Sequence, residues 1–129
     1  MAVLVLVDVQ PNGRETCAVE VQVNGKTRRE AGTGASYHDA TAVALSRLCR
    51  KEFGGGISLH VDTVSIDKAE DSPVHTVRLS VHDGTWLAKV VGEDDCPIYA
   101  ATVALVDAAN KRLAYLAAES RTAETADVA

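Results

Sequence analysis

The sequence predicts an α+β fold made of a duplicated unit of three strands and one helix, in the order βββα-βββα. The first observation is a near repeat: residues 40–45 read ATAVAL and residues 100–105 read AATVAL. The second is that a strand pair, a turn and a glycine precede each of these segments. Because two copies are too few for a solenoid, we expect them to pack about a pseudo-twofold axis. The expected product is a largely antiparallel sheet with two helices packed on one face.

The correspondence between the copies continues upstream of the helices. Residues 21–25, VQVNG, match residues 79–84, LSVHDG, and the same alignment pairs Gly34 with Gly92. A binding site on the pseudo-twofold axis would therefore be built from both copies.

The length and composition suit a single domain. The 129 residues are 47% hydrophobic and 24% charged, within the usual range for one globular domain. Repeat one is assigned to residues 1–54 and repeat two to residues 57–118. Residues 119–129 are polar and lack an apolar period, which predicts a disordered tail.

In repeat one, alternating apolar residues and turn signals mark three strands. Residues 2–9 and 16–23 are predicted strands, and Asn24-Gly25 is a strong hairpin signal. The partner strand then covers residues 26–30. Ser36 is the predicted N-cap of a helix whose apolar residues recur at helical spacing up to the glycines at 54–56.

Repeat two follows the same plan. Its predicted strands are residues 57–66, 74–81 and 85–91, with a hairpin turn at 82–84 between the last two. Pro97 is favoured in the first turn of a helix, so it opens a longer helix that ends near Ala118. The small side chains of this helix are expected to let it approach another helix closely; they are Ala100, Ala101, Ala104 and Ala108.

Charge and composition argue against several classes of partner. The formal net charge of −5 disfavours nucleic acid or an anionic membrane as the main partner, because both bind clustered Lys and Arg. No stretch approaches the roughly 20 apolar residues of a membrane span, and none is typical of a signal peptide. A cytoplasmic protein is therefore predicted.

The cysteines and histidines do not indicate a metal centre. The three cysteines are widely separated with no C-x-x-C spacing, which predicts free, buried thiols. The spacings between the four histidines match no metal-binding pattern. No metal, cofactor or catalytic residue is predicted.

The loops that enter the two helices are the candidate binding sites. In the first loop, Gly32, Gly34 and Ser36 precede a helix N-terminus, where free backbone N–H groups and the helix dipole favour a carboxylate. Ordinary helix capping explains the same residues equally well. The second loop, which contains Gly92, occupies the corresponding place in repeat two.

Side chains next to these loops supply the remaining candidates. Asp94 and Asp95 are suited to hold the ammonium group of an amino acid, or alternatively to interact with the helix dipole. Tyr37, His38 and Tyr99 lie in corresponding first turns and are candidates for the wall of an apolar pocket, with packing or exposure as the alternative.

The order of elements, with a glycine loop entering each helix, resembles the C-terminal regulatory domain of 2-isopropylmalate synthase and citramalate synthase. The resemblance covers nearly the whole chain. That family has a glycine-rich loop running into an Asp-Ala or Asn-Ala pair, then a second loop before an Ala/Asn-rich helix. The positions that match are Gly32, Gly34, Asp39 and Ala40 in repeat one, and Gly92, Asp95, Ile98, Ala100 and Asn110 in repeat two.

This resemblance implies a non-catalytic feedback module. The family domain is a dimer unit that binds a branched-chain amino acid, such as leucine, between its repeats and signals to a separate catalytic barrel. The residues expected to contact the ligand are Gly32, Gly34, Ser36, Tyr37, Asp39, Ala40, Gly92, Asp94, Asp95, Ile98 and Tyr99. The chain lacks the H-x-H metal pair of the synthase, so it is expected to act as a homodimer or with a separately encoded catalytic chain.

Three other interpretations remain open at this stage. Residues 19–48 also resemble the second half of a double-stranded-RNA-binding domain, although residues 37–39 are Tyr-His-Asp where that family has phosphate-binding lysines. A small enzyme using Asp39, Asp95 or His38 would need a buried group with a perturbed pKa. A purely structural dimerisation partner of a separate enzyme would have the same sequence pattern.

Overall fold

The computed structural model describes residues 3–13 and 15–128, with side chains as far as residue 120. It contains two successive βββα units. The first comprises β1 (Leu4–Asn12), β2 (Thr16–Val23), β3 (Lys26–Thr33) and α1 (Tyr37–Phe53). The second comprises β4 (His60–Lys68), β5 (His75–Asp83), β6 (Trp86–Asp94) and α2 (Pro97–Val128). The predicted α+β class and the duplicated order of elements are confirmed.

The six strands form two sheets. Each has three antiparallel strands, in the orders β1-β2-β3 and β4-β5-β6. The expected antiparallel pairing is present, but the strands are divided between two sheets instead of forming one. α1 packs on β2 and β3 and also touches β4, whereas α2 packs on β5 and β6 and also touches β1. Because each helix contacts strands of both sheets, the helices lie between the sheets.

The two repeats correspond at a constant offset of sixty residues from β2 to β3 and from β5 to β6. Cys17 pairs with Gly32, and Val77 pairs with Gly92. Gly92 therefore corresponds to Gly32, not to Gly34 as the sequence alignment suggested. Likewise Val21 corresponds to Val81.

The different position of the second hairpin turn explains this shift. β5 continues to Asp83, so the turn comprises residues 84–85 instead of residues 82–84. Gly84 occupies the first turn position with a φ of 64°, as Asn24 does in repeat one with a φ of 52°. A positive φ at this position is typical of tight hairpins with the twist of neighbouring strands.

Even an irregularity of the strands is duplicated. The β1–β2 register shifts between Leu6 and Asp8, and the β4–β5 register shifts between Val61 and Thr63. A bulge bends a strand and increases its twist. The first strand of each repeat is therefore bent at the same place.

The helices are packed through small side chains. The predicted face of α2 is fully buried or nearly so, with exposed fractions of 0% to 1% at Ala100, Ala101, Ala104 and Ala108. α1 contributes Ala40 and Ala44 in the same way, and the two helices contact each other. Because these side chains are small, the helices can pack closely against each other and against the strands.

The charged strand β3 is held to α1 by ion pairs. Arg28 Nε lies 2.6 Å from Glu52 Oε1, and Lys51 Nζ lies 2.6 Å from Glu30 Oε2. The hydrogen bond from Lys51 lowers the pKa of Glu30. These contacts explain how a mostly polar strand can lie beside a helix.

The boundaries of the elements differ from the prediction at two places. β1 continues through Pro11 to Asn12, which an edge strand tolerates because proline need not donate to a neighbour. α2 is helical through Val128, whereas a disordered tail was expected from residue 119. The extension is rich in Ala and Glu and has no Gly or Pro to stop it. Ala129 lies outside the described residues.

Candidate functional site

The loops that enter the two helices lie close to each other. Burial raises the pKa of Tyr37, in the first turn of α1, and the nearby charge of Cys96 raises it further. Cys96 immediately precedes α2. Tyr37 beside the first loop and Cys96 of the second loop are therefore near each other.

A cavity of about 390 Å³ opens beside the start of α2. This volume lies in the lower part of the range for small-molecule sites. Three of the predicted ligand contacts, Asp94, Ile98 and Tyr99, line it. The other lining residues are Asp8, Val9 and Pro11 of β1 and Cys96.

One part of the cavity wall is acidic and the other is apolar. Asp94 Oδ2 accepts a hydrogen bond of 2.9 Å from the Cys96 amide, and Asp8 Oδ2 accepts one of 3.2 Å from Gln10 Nε2. Each carboxylate thus keeps a second oxygen for another partner. Val9 and Ile98 supply apolar surface beside these carboxylates. The arrangement suits a cationic group attached to a short apolar chain.

The first turn of α2 also has backbone donors available. Pro97 has no N–H, and the amides of Ile98 and Tyr99 belong to the first turn of α2, where N–H groups have no acceptor within the helix. The Cys96 carbonyl accepts from the Ala100 amide at 2.9 Å, which makes Cys96 the N-cap. A cysteine thiol is a weak acceptor, so this helix end is suited to bind an anion.

The first loop has a different chemistry. Ser36 Oγ accepts from the Asp39 amide at 3.4 Å and donates to Asp39 Oδ2 at 3.0 Å. The side chains of Ser36 and Asp39 thus cap α1 themselves. For these two predicted ligand contacts, helix capping accounts for the observed geometry.

The predicted glycines lie in helix–strand contacts. A Cβ atom at Gly32 would be 2.3 Å from the Ala40 carbonyl oxygen, and one at Gly92 would be 1.9 Å from the Ala100 carbonyl oxygen. A Cβ atom at Gly34 would be 2.7 Å from the Ala40 amide nitrogen. Ala40 itself is fully buried. These positions let the helices approach the strands, and they are not part of the cavity lining.

Two further candidates, Asp95 and Tyr37, do not line the cavity. Asp95 is exposed, and its carbonyl oxygen is 2.9 Å from His75 Nδ1. The Tyr37 ring packs against the His38 ring at a centroid distance of 4.1 Å. Burial lowers the pKa of His38, although the Asp39 charge opposes this shift. Among the described residues, His38 Nδ1 is a buried polar atom with no hydrogen-bond partner.

Sequence reasoning missed the contribution of β1 to the cavity. Asn110 of α2 accepts hydrogen bonds from the amides of Val3 and Leu4, at 3.0 and 2.8 Å, and donates one of 3.0 Å to the Leu4 carbonyl. These bonds fix β1 beside the helix of the other repeat. The family resemblance singled out Asn110 as a matching position, but it did not indicate that this side chain binds the backbone of β1.

The thiols and histidines do not form a metal centre. Cys17 and Cys49 are buried as predicted, but Cys96 is exposed because it caps α2 at the surface. Burial raises the pKa of Cys49 to about 11. His60 and His82 stack across neighbouring strands at a centroid distance of 5.2 Å. The part of the chain that the structure describes contains no group of three or more metal-ligating side chains.

A second hollow, of about 500 Å³, lies near the C-terminal end of α1. Its walls are apolar and carry no charged side chain; they include Phe53, Ile57, Leu113 and Leu116. Since no polar side chain lines this hollow, the cavity beside α2, with its two carboxylates, is the better candidate site.

Comparison with known proteins gives no assignment. No protein-family model matches the chain, and no curated protein matches it. Within the described residues, no helix is both long and apolar enough to cross a membrane. Function must therefore be inferred from the cavity.

Proposed function

We propose that this chain is a non-catalytic regulatory module that binds a small amino acid with a branched apolar side chain, such as leucine. The cavity beside α2 carries the proposal, because it combines two carboxylates, an apolar wall and a helix N-terminus within about 390 Å³. An α-amino acid presents the complementary groups: an ammonium, an alkyl chain and a carboxylate.

The cavity suggests a role for each of its walls. The ammonium group binds between the carboxylates of Asp8 and Asp94, which accept hydrogen bonds and donate none. The ligand carboxylate accepts from the amides of Ile98 and Tyr99 at the positive end of α2. The alkyl chain packs on the apolar side chains of β1 and α2.

The wider role follows the resemblance to the regulatory domain of 2-isopropylmalate synthase. The module acts in the cytoplasm as a homodimer, and it passes ligand occupancy to a separately encoded catalytic chain of leucine biosynthesis. A change at the cavity reaches the first strand of the domain directly, since β1 supplies one of its walls. Movement of β1 is therefore the simplest output of binding.

A thermal-shift titration tests the ligand. Leucine, isoleucine and valine are expected to stabilise the fold, by about 2.7 kcal/mol at 100 times the Kd. Their 2-keto acids lack the ammonium group and are expected to bind more weakly, because two carboxylates then face an anion. If no amino acid at millimolar concentration changes the melting temperature, the proposal fails.

A matched pair of variants locates the site. Asp94→Asn keeps an oxygen that accepts from the Cys96 amide but removes the negative charge. We therefore expect the dissociation constant for the amino acid to rise at least tenfold, which is about 1.4 kcal/mol of binding free energy. Asp107→Asn, on the exposed side of α2 where it pairs with Lys111, is the control and should bind normally. Equal affinity in both variants would place the ligand elsewhere.

A further inference from the structure

The edge of the second sheet runs along β4. Among the described strands, β4 is hydrogen bonded to β5 alone, so the backbone groups on its other side are unpaired. The strand is nine residues long, and eight of these residues are exposed. An uncovered edge of this length is a template for pairing with another strand.

Two apolar side chains of β4 are exposed although they lie on the inner face of the sheet. Val64 is opposite Leu79 and Ile66 is opposite Val77, and both partners are buried. Nevertheless, 39% of Val64 and 45% of Ile66 is accessible to solvent. The corresponding end of β1 lies against α2 at the cavity. The corresponding residues of β1, Val9 and Pro11, face α2 across this cavity, whereas Val64 and Ile66 are exposed.

The sequence of β4 is complementary to itself. When two copies run antiparallel with Ser65 on the twofold axis, Val64 of each copy is opposite Ile66 of the other. In the same register Asp62, the residue at the bulge of β4, lies at about the level of Lys68. Opposed β-branched residues and opposed unlike charges both stabilise a strand pair.

The neighbouring registers are less favourable. With Val64 on the axis, the carboxylate of Asp62 is opposite the apolar side chain of Ile66. With Ile66 on the axis, Asp62 is opposite Glu70, which is a like-charged pair and destabilising. Charge complementarity therefore selects the register that also pairs the apolar residues.

We propose that a second copy of this chain docks along β4, strand against strand, with Ser65 on the twofold axis. The two three-stranded sheets then join into one six-stranded sheet across the dimer. The contact is isologous, which is the commonest symmetry of homo-oligomers. This inference rests on the homodimer of the proposed function and defines its interface.

A charge-swap experiment tests the register. Asp62→Lys and Lys68→Asp each create two like-charged pairs, so each variant is expected to raise the dimer dissociation constant at least about tenfold in sedimentation equilibrium. The double variant D62K/K68D restores unlike pairs and should recover the wild-type constant. Circular dichroism checks that every variant is folded. A wild-type chain that stays monomeric at millimolar concentration overturns the proposal, and so does a dimer that both single variants leave unchanged.

Cross-linking gives a second readout. Opposed residues of antiparallel strands have Cα atoms about 4.5 to 5.5 Å apart, which fits a disulfide. In a Cys96→Ser background, Ser65→Cys is expected to cross-link to its copy much faster than Thr27→Cys, an exposed position on β3. Equal rates contradict the interface.

The two proposals fail separately. A thermal-shift titration of Lys68→Asp measures amino-acid binding in a chain with a weakened dimer. Retained ligand stabilisation in this variant shows that binding does not need the dimer. In the wild type, a monomer that is stabilised by leucine contradicts only the β4 interface, and a dimer without any ligand response contradicts only the ligand proposal.

Discussion

Gly32 of β3 and Gly92 of β6 hold the same structural position in the two repeats, each opposite a carbonyl oxygen of the following helix. A Cβ atom at Gly32 would lie 2.3 Å from the Ala40 oxygen, and one at Gly92 would lie 1.9 Å from the Ala100 oxygen. Both distances are far below van der Waals contact with a backbone atom. The close approach of strand and helix thus depends on glycine in both copies.

The first prediction concerns these glycines. Gly32→Ala and Gly92→Ala are each expected to lower the free energy of unfolding by about 2 kcal/mol or more, because backbone has to move. Gly56→Ala is the matched control, since a Cβ there meets nothing within 4 Å and its φ is not positive. Urea denaturation measures all three. Equal stability of the Gly32 and Gly56 variants contradicts this account.

The second prediction concerns the side chain that joins the repeats. Asn110→Ala removes three hydrogen bonds to the backbone of Val3 and Leu4. We expect a loss of about 2 to 3 kcal/mol, since the backbone groups are left without partners, and faster hydrogen exchange of the Leu4 amide. Lys111→Ala, at the next position, loses only an exposed ion pair and should cost less than about 1 kcal/mol. Unchanged exchange at Leu4 would show that Asn110 does not hold β1.

The third prediction concerns a buried ion pair. Arg112 Nε lies 2.9 Å from Asp83 Oδ2, and the arginine side chain is only 16% exposed. Its guanidinium is also 5.6 Å from the centre of the Trp86 ring. Asp83→Ala leaves this cation without its partner, so we expect a loss of about 3 kcal/mol and a changed fluorescence of the single tryptophan.

An exposed ion pair provides the comparison for Asp83. Asp67 and Arg78 are 66% and 55% exposed in their side chains, and their pair bridges β4 and β5 at 2.7 Å. Asp67→Ala is expected to cost less than about 1 kcal/mol because solvent screens this pair. If both alanine variants lose the same stability, burial does not decide the strength of these pairs.

Local elements of this fold could be predicted from the sequence. The Asn24-Gly25 turn and the helix from Ser36 to Gly54 depend on residues that are neighbours in the chain, and both are present. The two-sheet arrangement depends on contacts between distant segments. The repeat register was misplaced by two residues because a shift of two keeps each strand residue on the same face. Apolar alternation alone therefore cannot distinguish Leu79 from Val81 as the counterpart of Val21.

The sequence indicated only those residues of the candidate site that are close together in the chain. Asp94, Ile98 and Tyr99 belong to one loop and the helix that follows it, which the sequence shows to be adjacent. Asp8 comes from a strand more than eighty residues earlier, and no local pattern indicates that this strand packs on α2. The cavity exists only because the first strand of one repeat crosses to the helix of the other.

The fourth prediction is a pH dependence that originates at His38. Burial lowers the pKa of His38 in the folded protein, whereas in the unfolded chain it is about 6.5. Between these two values the unfolded chain holds the proton and the folded chain does not, so stability falls as the pH decreases below about 6.5. Above that pH both states are neutral at this side chain, and the effect is absent. It reaches its full size once the pH is below the folded pKa.

Replacing His38 by an uncharged residue removes this contribution. His38→Ile introduces the residue found at the corresponding position of α2, Ile98, and His38→Gln retains a polar group. Compared with the wild type, both variants are expected to lose less free energy of unfolding between pH 7.5 and pH 5.5, a range that brackets the unfolded pKa of about 6.5. The comparison with wild type at each pH cancels the titration of the acidic residues. Only a difference that appears at the lower pH in both variants assigns the effect to the histidine charge, whereas a constant difference at both pH values assigns it to packing.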